Sequence, residues 1–353
     1  MTTPTRRTPR VIDRGWTHEG SPFHVGEQAV QRRVGVRDQV ERAGRNMIRD
    51  HMPDQHRELF EALPMIVVGS VADNGRVWAS ILSGKPGFVR SPSATVLKIE
   101  ANAMVGDPLR EQLSVGSPLG LLGIQLETRR RNRANGQIVA RDAESFTVEV
   151  EQSFGNCRQY IQAREPTFDA SLIESAGAVK VEGARLSARA SELLANTDTF
   201  FIATASASAV SGKDAEGADV SHRGGRPGFV RVSDKPNGTR LTIPDFRGNF
   251  IFNTFGNLEV NPHAGIVCAD FATGDVLSLT GTARVIWEGA ELDSFEGADR
   301  LLSFDVESGV LLERALPLRF EGLEPSPDLA DTGIWAESEF GSETPRNDAI
   351  PRP

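Results

Sequence analysis

Cysteine is almost missing from this chain: Cys157 and Cys268 are the only two in 353 residues, they stand far apart, and neither belongs to a C-x-x-C pair. That spacing signals neither a disulfide framework nor a cysteine zinc site, and it suits a reducing compartment. Positive charge is also short, with 39 Lys and Arg against 48 Asp and Glu for a formal net charge of −9. General nucleic-acid binding needs a basic face to displace condensed counterions, so it is not expected here. No apolar run reaches the length of a membrane span, and the N-terminal MTTPTRRTPR is not followed by the apolar segment of an export signal. The expectation is a cytoplasmic protein with no membrane or nucleic-acid partner. G-x-G-x-x-G, the P-loop and H-E-x-x-H are absent as well. A nicotinamide therefore has no Rossmann dock and would visit as a substrate.

What the chain does have is 39% hydrophobic residues, enough for a sizeable core. Val36, Val40, Ala43 and Met47 recur at helical spacing, and a second short helix is expected after Pro53. Residues 65–71, 77–82, 96–99 and 119–126 are apolar, β-rich runs separated by turn residues, which predicts short antiparallel strands in a barrel or sandwich. Gly106, Asp107 and Pro108 open a short helix, with proline suited to its first turn.

An internal repeat organises the rest. Residues 84–90 read GKPGFVR and residues 225–231 read GRPGFVR; the one difference, Lys85 against Arg226, keeps its charge. The flanks correspond too, with a helix and strand before each copy and a strand, short helix and strand after it. The chain reads as two copies of one β-rich unit. The expected boundaries are an irregular lead and helix over 1–53, a first unit over 54–165, a connector over 166–186, a second unit over 187–325 and an acidic extended tail over 326–353.

The second copy lies in a distinctive stretch, residues 219–261. A basic strand carries Ser221, His222 and Arg223, and Arg247, Gly248 and Asn249 are expected at the start of a helix. Cations and free backbone N–H groups at a helix N-terminus suit a phosphate. The alternative for Arg223 and Arg247 is a surface salt bridge, and for Asn249 and Asn253 a capping role. In the first unit, Ser80, Leu82 and Asp107 hold the corresponding positions. A leucine and a carboxylate there would repel or ignore a phosphate, so one ligand per chain is expected. His222 points to the other face of a regular strand and reads as structural. His24 and Glu27, in SPFHVGE, are too few for a metal site and fit capping better. GKPGFVR and GRPGFVR read as turn and packing devices. The basic run RRRNRANG, residues 129–136, is either a solvated hairpin or part of a site. Cys157 reads more readily as a small side chain than as a redox thiol.

Taken together, SPFHVGE, GKPGFVR, RRRNRANG, QSFGNCRQYIQ and RGNFIFNTFGN resemble the two-barrel bacterial flavin-nucleotide-binding proteins of the pyridoxamine 5′-phosphate oxidase-like superfamily. The resemblance spans roughly residues 16–325 and departs at Arg158, where the pattern has proline. It implies an α+β, mainly β fold of tandem FMN-binding split barrels arranged as an intrachain pseudo-dimer, monomeric or homodimeric. It implies FMN as cofactor and an FMN-dependent oxidoreductase passing hydride or electrons between a reduced nicotinamide (NADH or NADPH) or small organic substrate and an acceptor, with a separate reductase as a possible partner. The other reading is a non-enzymatic module for flavin, deazaflavin or haem. Ser221, Arg223, Arg247, Gly248, Asn249 and Asn253 would hold the phosphate, and Arg131, Asn132, Arg133 and Asn135 of the first unit would face the ring.

Overall fold

The computed structural model describes residues 15–207 and 215–335; the expected tail beyond 335, with Phe340, lies outside the described residues. Three helices lead in: α1 (Val25–Arg33), α2 (Arg37–Met47) and α3 (Asp54–Ala62). The first sheet follows, with β1 (Met65–Val71), β2 (Val77–Ser83), β3 (Val89–Ser93), β4 (Val96–Ile99), β5 (Pro118–Gln125), β6 (Arg130–Arg141) and β7 (Phe146–Gly155). Then come β8 (Ala163–Phe168), β9 (Val179–Glu182) and α4 (Ala188–Asn196). The second sheet has β10 (Thr199–Ala205), β11 (Ala218–Gly224), β12 (Arg231–Lys235), β13 (Gly238–Phe246), β14 (His263–Ala269), β15 (Val276–Ile286) and β16 (Ala298–Leu312), with α5 (Asn253–Val260) between β13 and β14. The chain is mainly β with short helices, as expected.

Strand order makes the repeat visible. The first sheet runs β2-β1-β5-β6-β7-β4-β3 and the second β11-β10-β14-β15-β16-β13-β12, which is the same order strand for strand. Both copies of the seven-residue motif form the same turn. Gly87 and Gly228 sit at φ 95° and 89°, and a Cβ on Gly84 or Gly225 would strike the following Phe88 or Phe229 ring. Those phenylalanines enter the cores of their own sheets. The motif is a packing device in both copies.

The two sheets also bury a common core. Along β1, Ile66 and Val68 face the first sheet's interior while Met65 and Val67 turn to a cluster shared with Phe201, Ala203, Val220 and Val267 of the second. Both faces of the strand are apolar, which is why its sequence does not alternate. Glycine permits the close approach: a Cβ at Gly120 would lie 2.6 Å from the Ala218 carbonyl, and one at Gly265 would lie 2.6 Å from that of Val77. Because β5 corresponds to β14 and β2 to β11, these two contacts are reciprocal.

Several expected boundaries need correction. The lead is not irregular before residue 36, because α1 forms there: His24 caps it, its Nδ1 accepting from the Gly26 N–H, while the Glu27 carboxylate accepts from the His24 N–H. This capping box is the role of the His24 and Glu27 pair. The connector over 166–186 contains strand, with β8 pairing β17 (Leu318–Glu324) and β9 pairing β16. The described start of the tail is docked: the Trp335 indole N–H donates to the Phe229 carbonyl at 2.9 Å and its ring meets Phe295.

Helix α1 crosses α5 at glycine on both sides. A Cβ at Gly26 would fall 2.0 Å from the Gly256 carbonyl oxygen, and one at Gly256 would strike Glu27. Gly256→Ala is therefore expected to loosen the lead at a cost of about 1–3 kcal/mol. Limited trypsin digestion should cut faster at Arg32 and Arg33, and an unchanged pattern would contradict this packing.

A candidate ligand cleft between the two units

The strands of the second unit and the loop that leaves the first enclose a cleft of about 890 Å3, counting its open mouth. Ser221 and Arg223 enter from β11, Asp245 from β13 and Arg300 from a position near the start of β16. Arg131 and Arg133 reach in from β6, and Asn156, Cys157 and Tyr160 come from the loop after β7. Phe246, Phe250, Phe252 and Phe255 supply aromatic wall.

The charged groups are tightly organised. Asp245 sits between two guanidiniums, ion-paired with Arg223 and, at 2.7 Å, with Arg300. Burial nonetheless holds its carboxyl above the usual range, against the pull of the two cations. Arg133 is ion-paired at 2.8 Å with Asp219 and donates at 2.6 Å to the Ser221 hydroxyl. Arg131 donates through Nε to the Cys157 carbonyl and has no carboxylate partner among the described residues. Burial, with Arg223 and Arg133 nearby, pulls its pKa down to about 10, which leaves it cationic at neutral pH. His222 is among the lining residues, with its ring edge toward Phe201; burial and three neighbouring arginines keep its pKa well below the ordinary value, so it is neutral. Three guanidiniums face two carboxylates, Asp245 and, 3.2 Å from Arg300, Asp299; with Arg133 offset by Asp219, the cleft keeps an excess of positive charge.

Buried polar atoms without partners gather here. Nε of Arg133, Arg223 and Arg300, Nδ2 of Asn156 and both ring nitrogens of His222 have none. Native proteins rarely leave such groups unsatisfied, and their clustering on one cleft points to a polar ligand. Backbone strain gathers at the same place: Tyr160, Phe250 and Phe252 adopt φ of 61°, 59° and 65°. The third of these precedes α5, whose N-terminus has no side-chain cap.

The expected site residues divide. Ser221, Arg223, Gly248, Asn249, Asn253, Arg131 and Arg133 all line the cleft. Arg247, Gly248 and Asn249 do not start a helix; they form the loop before α5, which begins at Asn253. The left-handed Phe250 and Phe252 carry the chain round that loop, a conformation no sequence pattern announces for phenylalanine. Arg247 is exposed, its guanidinium 5.7 Å from the Phe250 ring, and its carbonyl accepts from the Tyr160 hydroxyl. Asn249 accepts from the Ile251 N–H, and Asn253 donates to Glu27 at 2.5 Å. RRRNRANG is not a solvated hairpin; residues 130–136 lie in β6, a central strand. Alternation turns Arg131, Arg133 and Asn135 toward the second unit and Asn132 to the other face, away from the cleft. Asn135 is spent on Asp219. Cys157 is half-buried in the cleft wall, its thiol donating to Gln159.

Sequence reasoning missed Arg300, Asp245 and Tyr160. An arginine opening the otherwise apolar run RLLSF was a usable signal for the first, and the only tyrosine of the chain, beside Cys157, for the last.

The first unit answers the same positions differently. Asp107 caps the short 3-10 turn at Pro108–Glu111, accepting from the Leu109 N–H at 2.9 Å and from the Ser80 hydroxyl at 2.6 Å. Ser80 is the counterpart of Ser221, whose hydroxyl accepts instead from Arg133 and Thr254, and no carboxylate caps the start of α5. Burial raises the Asp107 pKa from 3.8 to about 6. A raised folded-state pKa contributes stability below the unfolded value that is lost as pH rises through the folded one, about 2–3 kcal/mol in all. Asp107→Asn should remove this decline between pH 4 and 7. Parallel urea-unfolding profiles for the two proteins would contradict it.

Among the described residues no group of acidic, histidine and cysteine side chains has the arrangement of a metal site, and no helix is long and apolar enough to cross a membrane. No protein-family model and no curated protein matches the chain. Among solved structures, HupZ of group A Streptococcus aligns with 35% of this chain and 98% of its own, at 16% identity and a TM-score of 0.28. A putative pyridoxamine 5′-phosphate oxidase from Lactobacillus delbrueckii aligns with 36% of this chain and 93% of its own, at 14% identity and a TM-score of 0.27. HutZ, the haem storage protein from Vibrio cholerae, aligns with 36% and 95%, at 17% identity and 0.23.

Proposed function

We propose that the chain is a pseudo-dimer of two fused split barrels that binds one FMN in the cleft of its second unit and acts as an oxidoreductase. The observation that carries the binding reading is the set of partnerless buried donors on Arg223, Arg300, Arg133 and Asn156, gathered in a cationic cleft with aromatic walls. The fit to a phosphorylated planar group is chemical: guanidiniums suit a phosphate dianion, an uncapped helix start offers N–H groups, and phenylalanines suit a flat ring. Arg223, Arg300, Ser221 and the α5 N-terminus would hold the phosphate. Arg131 and the loop of Tyr160 would meet the ring from the first unit. The equal strand orders and the reciprocal glycine contacts support the pseudo-dimer.

Bound FMN would supply hydride or electron transfer, and the protein would supply position and electrostatics. Arg131, half-buried and free of a carboxylate, would favour whatever negative charge develops beside it. Tyr160 and Phe246, with ring centroids 5.1 Å apart, would shield the site from water. NADH or NADPH, a small organic substrate, or a separate reductase would deliver the electrons. The test is anaerobic stopped-flow mixing of the FMN-loaded protein with NADPH and with NADH. Bleaching near 450 nm, reversed by an added acceptor, is the expected result; a bound flavin that neither nicotinamide nor a reductase reduces would leave a binding module instead.

A further inference from the structure

The first unit carries a sister of the FMN cleft, lined by the corresponding segments. The turn at residues 84–88 replaces that at 225–229, the stretch after β4 replaces the stretch after β13, and residues 313–317 after β16 replace 156–160 after β7. This second cleft is larger, about 1610 Å3 with its open mouth. Its chemistry is inverted. Leu82, at the position of Arg223, and Asp107, closed inward on Ser80, do not line it, so no counterpart of the Arg223 and Asp245 pair enters. Met104, Val105, Phe168, Ile173, Val179 and Leu312 make an apolar lining, to which residues 168–179 add a wall.

Two further observations point to an occupant. Val105, Ile173 and Val179 are 71%, 56% and 45% exposed, a concentration of large apolar side chains at one mouth. Lys85 and Arg110 also line the cleft, both are exposed, and neither has a carboxylate partner among the described residues. The other rim charges are spoken for, with Glu100 paired to Arg90 and Lys98, and Glu313 to Lys180. We infer that this cleft binds an amphiphile with an apolar chain and a single carboxylate, of the fatty-acid type, its tail among Met104, Phe168 and Leu312 and its head at Lys85 and Arg110. The inference does not depend on FMN occupying the other cleft.

The test is a fluorescence titration of the full chain with dansyl-undecanoic acid, followed by competition with palmitate and with hexadecanol. Saturable binding of one probe per chain is expected, displaced by palmitate at least tenfold more effectively than by the alcohol. The surface double variant Lys85→Glu/Arg110→Glu should lose that tenfold preference while keeping hexadecanol competition, and Ala101→Trp should abolish probe binding by filling the cleft. FMN should not displace the probe. The inference is overturned by any of three results: no saturable binding, binding unchanged in the double variant, or displacement by FMN. Self-association abolished by Val105→Asp, with no probe bound, would overturn it too, by assigning the face to a second copy of the chain.

Discussion

Arg223→Ala is expected to weaken FMN binding roughly ten- to a hundredfold, the loss of one or two charge-assisted hydrogen bonds at 1.5–3 kcal/mol in total. The substitution does more than remove a donor. Asp245 keeps Arg300 but loses its other cation, so its carboxylate faces the incoming phosphate less neutralised. Arg247→Ala, on an exposed side chain outside the lining, should change affinity only a few-fold. Lys85→Ala lies in the other unit and should leave affinity within twofold. Flavin-fluorescence quenching measures all three, and equal effects at Arg223 and Lys85 would remove the assignment.

Arg133→Met should have the largest effect on stability. Its guanidinium is 2% exposed and joins the two units through Asp219, the Val220 carbonyl and Ser221. Asp219 in turn accepts from Asn135 and Asn257, and Asn257 is bonded to His24 of the lead. Deleting one partner of a buried pair leaves the other charge uncompensated, at a cost of about 3–5 kcal/mol. Next to it stands Glu27, whose carboxyl burial and Asp219 already push well above the ordinary range. Urea unfolding followed by tryptophan fluorescence should show the loss. A midpoint within error of the parent would mean that the network does not join the units.

The repeat, the short strands and the basic strand of the cleft were legible because each is local. β1, β2, β4 and β5 fall within a residue of the apolar runs that announced them, and the paired GKPGFVR and GRPGFVR turns required only Gly and Pro in fixed places. What escaped was set by tertiary contact. α1 reads VGEQAVQRR, with two valines and no amphipathic period, and it is held by a histidine cap and a glycine crossing against α5. RRRNRANG carries the charges of an exposed loop, yet it is a central strand because Asp219 of the other unit meets its arginine. Arg300 joins the cleft only because β13 and β16 pair, Asp245 lying opposite it in register. The start of α5 moved to Asn253 because two phenylalanines accept left-handed backbone, a cost that only the finished fold can impose.

In the first unit Asp107 closes on Ser80 and caps the short turn, whereas no carboxylate caps the start of α5 in the second, so a phosphate is expected in the second unit alone. Calorimetric titration of the protein, freed of any flavin it carries, with FMN and separately with riboflavin tests this most directly. One FMN per chain, with riboflavin bound at least tenfold more weakly, is the expected result. Two FMN per chain, no FMN binding, or equal affinity for riboflavin would contradict it.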